Sequence, residues 1–449
     1  MDSGTSDGSQ WTRPNSCLAA MSALIETLSF LYPVNRSLSP ATRISMRRMI
    51  GPGLLVAVGY VDPGNWATDI AAGSNYGYTL LGSVLLASLL GLLFQTMAAR
   101  LGMATGEDLA TLTRRLLPRS LTVSAWMASE LAIVATALAE LVGGAIALRL
   151  LFGLPLQAGL IVAAMGTLAI MALSQRRQRT HEYVVSALLA VVSLTFVYLL
   201  IKASPAAQDV LHGLASSGDI FGNHGMLAIA LGIVGATVMP HNLFLHSGLI
   251  AERSKELPAH ERPMALRVVE TDTRVSLLLA TLVNAAMLMV AVASLTHLSR
   301  PVQSLDDAYH AIALTLGSGA AVIFAVALYA AGQSSAITGV LAGRILSQGF
   351  RGRASRTWLR GIATRLAGVC IGFVLLAARP GMGADTLLVL SQCVLGVALP
   401  FALLPMLMLA RRRDLMGQYG FGRIFMALAA TGTAVVIVLD GYLLLTAFG

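Results

Sequence analysis

Hydrophobic segments of about 20 residues repeat along this chain from residue 46 onwards, each long enough to cross the ~30 Å apolar core of a bilayer as a helix. They lie near 46–75, 79–102, 121–150, 155–173, 182–203, 224–250, 270–297, 314–346, 359–378, 384–410 and 422–447. The pattern predicts an all-α membrane protein of about eleven spans. A membrane β-barrel would alternate polar and apolar residues in segments of about ten, whereas these runs are continuous in Leu, Ala, Val and Gly. Residues 1–43 read differently. Ser, Gly, Asn and Pro cluster at both ends of a short apolar stretch, Cys17 to Tyr32, which Glu26 interrupts. That stretch is too short to span and follows no basic region, so a mobile cytoplasmic tail touching the membrane surface is expected rather than a signal peptide.

Charge adds an orientation. Of 449 residues, 56% are hydrophobic and only 12% charged, about half the charged share of soluble domains, and the mean hydropathy is positive. The net charge is +9, carried almost entirely by arginine, since Lys202 and Lys255 are the only lysines. In a soluble protein this excess would point to nucleic acid; here it sits in short loops between spans, and no nucleic-acid partner is expected. Basic stretches hold Arg36, Arg43, Arg47 and Arg48; Arg114, Arg115 and Arg119; Arg176, Arg177 and Arg179; Arg253, Lys255 and Arg262; Arg351, Arg353, Arg356 and Arg360; and Arg411 to Arg413. The intervening loops, Asn75 to Thr79, Lys202 to Gly222, His297 to His310 and Ala377 to Thr386, carry few. Under the positive-inside rule this alternation places the N-terminus in the cytoplasm and, with eleven spans, the C-terminus outside. Compact loops suggest a bacterial protein, hence a multi-pass protein of the inner cell membrane. Cys17, Cys370 and Cys393 are scattered and predict neither a disulfide framework nor a zinc site.

Two spans are interrupted in matching ways. The first contains Gly59-Tyr60-Val61-Asp62-Pro63-Gly64-Asn65 and the sixth Ala236-Thr237-Val238-Met239-Pro240-His241-Asn242. Each has a ligand-type residue, then proline, then asparagine two positions on. Proline lacks an N–H and clashes with the carbonyl one turn back, and Asp-Pro-Gly-Asn is turn chemistry, so both spans are expected to unwind in mid-membrane. Such backbone survives at that depth only where it lines a cavity or is buried in protein, and a matched pair of broken segments points to a transporter site. Spans 1 and 6 correspond if spans 1–5 and 6–10 are repeats, about 44–205 and 222–411, with an extra helix at about 422–447. An odd number of spans per repeat makes the repeats inverted.

Asp62 is a carboxylate at bilayer depth, costly and by default functional. No arginine lies near it in either broken span, so a bound cation is the favoured partner. Asp62, the amides of Asn65 and Asn242, and the freed carbonyls of Gly59 and Ala236 offer hard oxygens; Met239 offers a thioether. That mixture suits Mn²⁺, Fe²⁺, Co²⁺ or Cd²⁺ and discriminates against Mg²⁺ and Ca²⁺. His241 and His246 lie five positions apart, about 140° around a helix, so they cannot chelate one ion together; proton relay is the functional alternative. Gln95, Glu130, Glu140, Asn284, Gln392 and Asp440 are further polar residues within spans. Glu140 and Arg365 are candidates for a buried pair, either static or carrying a proton.

At these residues the sequence resembles the Nramp family, the natural resistance-associated macrophage protein metal transporters. Asp62-Pro63-Gly64-Asn65 matches the family's helix 1 motif, and Met239-Pro240-His241-Asn242-Leu243 its helix 6 motif. The similarity extends from about residue 44 to the end, including Leu390-Ser391-Gln392 and Pro400-Phe401-Ala402-Leu403-Leu404-Pro405. The resemblance implies a LeuT-type 5+5 inverted-repeat fold with broken helices 1 and 6, no permanently bound cofactor, and uptake of Mn²⁺ or Fe²⁺ with proton cotransport. It implies that Asp62, Asn65, Met239 and the Ala236 carbonyl bind metal and that Gln392 joins them in one conformation. It further links Asn284 and Gln95 to gating, and His241 and Glu140 to the proton route. One position departs. The family's helix 3 usually carries aspartate three residues before its glutamate, where this chain has Ala137, and Gly361 lies between Arg360 and Arg365. Metal binding is untouched by this, whereas proton coupling is expected to be weaker, rerouted through Glu140, or absent.

Rival readings make different demands. A Na⁺-coupled organic-solute carrier of the same fold would not need Met239. A membrane metalloenzyme would need a spacing such as H-E-x-x-H, which is missing; the Gly4-to-Gly8 match to Gly-x-Ser-x-Gly lies in the tail, without the strand–turn–helix setting of a nucleophile elbow. A non-transporting receptor would be expected to lose site residues, which are intact. The expected partners are divalent metal ions and the lipid bilayer, with no obligatory protein partner.

Overall fold

The long apolar runs fold as helices because a bilayer offers no hydrogen-bond partner to an open backbone. In a computed structural model of the chain, residues 40–174, 180–295, 304–352, 357–378 and 383–448 are described, and among them there is no strand. The expected tail up to residue 39, including Cys17 and the Gly4-to-Gly8 match, lies outside the described residues.

The order is α1 (Pro40–Arg48), α2 (Pro52–Gly59), α3 (Pro63–Tyr76), α4 (Leu81–Thr105), α5 (Leu109–Leu116), α6 (Arg119–Phe152), α7 (Leu156–Ser174), α8 (Thr180–Ala203), α9 (Ala207–Ala215), α10 (His224–Thr237), α11 (Pro240–Ser254), α12 (Arg262–Leu295), α13 (Leu305–Thr315), α14 (Ser318–Arg351), α15 (Thr357–Ala378), α16 (Ala384–Ala398), α17 (Pro400–Ala410), α18 (Arg413–Met416) and α19 (Arg423–Phe448). Helices α2–α3 and α10–α11 are the two broken spans, and α16–α17 form one span. Among the described residues, nine stretches are long and apolar enough to cross a membrane. One of these, Pro63–Thr105, contains both α3 and α4, and the shorter apolar helix Leu156–Ala172 adds α7, which brings the helical spans to the expected eleven.

Two differences from the sequence reading concern boundaries. The first span starts at Pro52, not 46, because Gly51 (φ 117°) separates α2 from α1. The stretches read as plain loops at 202–222 and 297–310 carry α9 and the start of α13, short amphipathic helices that hydropathy windows of span length average away.

Packing divides the spans into two sets. Helices α2–α3, α4, α10–α11 and α12 pack on one another, as do α6, α7, α14 and α15. Helix α16 bridges them, touching α6 on one side and α3 and α10 on the other. The polarity is that of a membrane protein: Leu89, Met127, Leu194 and Ile201 are exposed, while Asp62, Gln95, Glu140, His246 and Arg365 are buried.

Candidate metal centre

The centre is built by two prolines. Residues four apart share a helical hydrogen bond, so Pro63 cannot donate to the Gly59 carbonyl, nor Pro240 to that of Ala236. Helix α2 therefore ends at Gly59 and α10 at Thr237, and the chain runs extended through Asp62 (ψ 165°) and Met239 (ψ 128°) before α3 and α11 begin. Two helix C-termini, with their partial negative charge, thus face two helix N-termini at one level. Carbonyl ends of this kind are what broken transporter helices offer to cations.

Side chains then divide into those that hold the break and those left over. Asp62 caps α3, its Oδ1 accepting from the Asn65 N–H at 2.9 Å. The Tyr60 carbonyl accepts from Asn65 Nδ2 and, at 2.7 Å, from Asn284 Nδ2 of α12; the Val61 carbonyl accepts from Trp66 Nε1 at 3.2 Å. Asn242 directs Nδ2 to the Met239 sulfur, 3.8 Å away. Two glycines let the walls close, since a Cβ at Gly59 would overlap Asn242 Nδ2 and one at Gly64 would overlap Gln392 Nε2. What remains is a set of buried oxygens without hydrogen-bond partners: Asp62 Oδ2, Asn65 Oδ1, Asn242 Oδ1, Asn284 Oδ1 and Gln392 Oε1. Buried polar atoms are normally satisfied, and five acceptors without donors in the protein leave a place for a bound ligand such as a cation.

Among the described residues no three His, Cys, Asp or Glu side chains gather, so a resident catalytic zinc site of the usual His and carboxylate type is not what this geometry builds. His241 and His246 are accordingly divided: His246 Nδ1 lies 3.0 Å from Gln95 Oε1, and Gln95 Nε2 donates to the Tyr60 hydroxyl at 3.2 Å. His241, directly after Pro240 at the break, keeps Nδ1 without a partner.

A profile of the natural resistance-associated macrophage protein-like family matches residues 53–446. The chain belongs to the Nramp family. It is 41% identical over 423 residues to the divalent metal cation transporter MntH of Bradyrhizobium diazoefficiens, covering 93% of this chain and 94% of that one. Its fold matches the Eremococcus coleocola manganese transporter with a TM-score of 0.80 at 33% identity, over 91% of this chain and 89% of the other. MhsT, solved with L-phenylalanine, shares the fold alone, with a TM-score of 0.58 at 16% identity over 88% and 98% of the two chains. This Nramp protein is a membrane transporter of LeuT-type fold and not an enzyme.

The Nramp centre is sealed toward the arginine-rich end by contacts that loop charge counts did not single out. Asp272 of α12 accepts from the N–H groups of Gly51 and Gly53 at 3.1 and 2.7 Å, capping α2. Arg253, at the end of α11, donates to the carbonyls of Arg48 and Ile50 at 2.7 and 3.0 Å and pairs with Glu182 of α8 at 2.5 Å. A Cβ on Gly51 would lie 2.7 Å from Glu182 Oε2. One arginine therefore ties the α1–α2 connection, α8 and α11 together. Arg253→Ala is expected to free the α1–α2 connection and raise labelling of a cysteine placed at Val58, a buried residue of α2, about tenfold, read with a membrane-impermeant maleimide; unchanged labelling would mean that the seal lies elsewhere.

Away from the centre, Glu140 of α6 pairs with Arg365 of α15 at 2.8 Å, both buried. Nearer the arginine-rich end Glu130 pairs with Arg360 and accepts from Trp126 Nε1 at 3.2 Å. Between these pairs lies Ala137, buried, its backbone only 3.4 Å from where a Cβ on Gly368 would sit. At this level α6 and α15 approach through the Ala137 backbone and Gly368, as small residues allow.

Proposed function

We propose that this chain imports divalent transition metals, Mn²⁺ and Fe²⁺ and also Cd²⁺ and Co²⁺, by alternating access with proton symport. The observation that carries this reading is the group of donor-less oxygens between two broken helices, with one thioether among them. Asp62, Asn65, Gln392 and the carbonyls of Gly59 and Ala236 supply oxygens, and Met239 the sulfur that favours transition metals over Mg²⁺ and Ca²⁺. Curated relatives named as divalent metal cation transporters support it.

Met239→Leu keeps most of the volume and removes the sulfur. It is expected to cut the preference for Cd²⁺ over Ca²⁺ about tenfold, roughly 1.4 kcal/mol, in competition uptake; an unchanged ratio would assign Met239 to packing alone.

In the proposed cycle the α2–α3 and α10–α11 spans rock against α6, α7, α14 and α15, with Gln95, His246, Asn284 and Asn242 at the gates. The proton leaves through His241, Glu140–Arg365 and then Glu130–Arg360, bypassing Ala137. The arginine-rich end is assigned to the cytoplasm of a cell whose inner membrane holds the protein, with the N-terminus inside and the C-terminus outside. The domain reading is a tail to residue 43, repeats at about 44–205 and 222–411, and an added helix at about 422–447. Liposomes holding a pH-sensitive dye test the coupling: Mn²⁺ added outside with excess Mg²⁺ should enter together with acid. Mn²⁺ entry without acidification would make this an uncoupled carrier, and no Mn²⁺ entry would return the organic-solute reading.

A further inference from the structure

Asp69 is the buried carboxylate that the proposed cycle leaves unused. It lies in α3, seven positions after Asp62, which caps that helix. At 3.6 residues per turn this is about two turns, or ~10 Å, along the axis, and within about 20° around it. Asn65 also falls on this stripe, all three residues lying in an arc about 60° wide. Asp69 is 2% exposed, and its Oδ2 has no hydrogen-bond partner. Among the described residues no lysine or arginine pairs with it.

The stripe faces α12. Gly73, one turn beyond Asp69 on the same side, packs so closely there that a Cβ would sit 2.8 Å from the Leu288 carbonyl oxygen. Asn284, one turn earlier on α12, is the residue that donates to Tyr60 and keeps Oδ1 unpartnered. Four acceptor oxygens without donors therefore follow the α3–α12 seam: Asp62 Oδ2, Asn65 Oδ1, Asn284 Oδ1 and Asp69 Oδ2. They lead from the break toward the end opposite the arginine-rich seal. A carboxylate kept in such a setting without a partner is costly and marks an ion path by default.

We propose that Asp69 is the carboxylate of an outer cation station, where an incoming divalent metal ion is held before it moves to Asp62. The proposal rests on the reading of the Asp62 centre as the transport site. Two divalent ions about 10 Å apart repel each other strongly in a protein interior, so the stations act in turn. Conduction through several weak sites lets an ion enter favourably without being trapped. Asp62 and Asp69 are both covered in this conformation, so capture requires the seam to open at its outer end.

Initial Mn²⁺ uptake into proteoliposomes, measured against Mn²⁺ concentration, tests this with Asp69→Asn and Asp69→Glu. Asp69→Asn should raise KM about tenfold with the maximal rate within about twofold of wild type, and Asp69→Glu should recover most of the loss. Mn²⁺ binding to purified protein by electron paramagnetic resonance adds a readout free of turnover. Asp62→Ala protein should retain weak binding that Asp62→Ala/Asp69→Asn lacks, with thermal unfolding showing both variants folded. An unchanged KM in Asp69→Asn, or equal binding by the two Asp62→Ala proteins, would overturn the outer station while leaving the Asp62 centre standing. Wild-type protein that takes up no Mn²⁺ would overturn both.

Discussion

Replacing Asp62 by alanine is expected to lower Mn²⁺ entry at sub-saturating concentration by on the order of 100-fold, about 2.8 kcal/mol of lost cation binding. Asp62 brings the only formal negative charge to the centre; Asn65, Asn242, Gln392, the two carbonyls and Met239 are neutral. A divalent ion that leaves its water for neutral donors alone loses the largest electrostatic return. Alanine also removes the cap on α3, worth about 1 kcal/mol, so charge and cap must be separated. Asp62→Asn does this, because an amide oxygen can still accept from the Asn65 N–H. Both variants should lose Mn²⁺ entry while only alanine lowers the thermal midpoint. Asp62→Asn with uptake within about threefold of wild type would show that the charge is not a ligand.

Arg365→Ala is expected to destabilise the protein by about 3–5 kcal/mol, because it leaves the Glu140 carboxylate buried without its countercharge. Thermal unfolding in detergent measures this. Glu140→Gln combined with Arg365→Met should regain most of the loss, since a buried ion pair replaced by residues of similar volume costs little. That double variant also separates scaffold from proton chemistry. If it folds and admits Mn²⁺ without acidification, the pair moves the proton; if Mn²⁺ and acid still enter together, the pair serves only to hold α6 to α15. An Arg365→Ala protein that melts like wild type would contradict the burial of the pair.

The spans and both breaks were legible because their causes are local. Apolar runs of membrane length and two prolines act on their own neighbourhoods, and Pro63 and Pro240 dictate which carbonyls lose their donors. Asp62, Asn65, Asn242 and Met239 were legible for the same reason, being within a few residues of a break. Gln392 and Asn284 come from distant helices and were named through motif resemblance, since periodicity cannot say which helix faces the break. The seal of Asp272, Arg253 and Glu182 was illegible: Arg253 read as loop charge, yet it pairs with Glu182, 71 residues away. Asp69 carried a usable signal, seven positions from Asp62 and so on the same face of a helix, but it attracts notice only once that face is seen to be buried. Ala137 reads in sequence as a missing acid, and in the structure it is a buried residue whose backbone lies against Gly368.

The ligand set itself can be observed by X-ray absorption at the cadmium edge on the purified, Cd²⁺-loaded protein. The predicted spectrum is an oxygen-rich first shell with a single sulfur scatterer that disappears in Met239→Leu and is lost in Asp62→Ala as well. An all-oxygen shell unaffected by Met239→Leu, or a shell dominated by imidazole nitrogen, would contradict a metal held between the two broken helices by Asp62 and Met239.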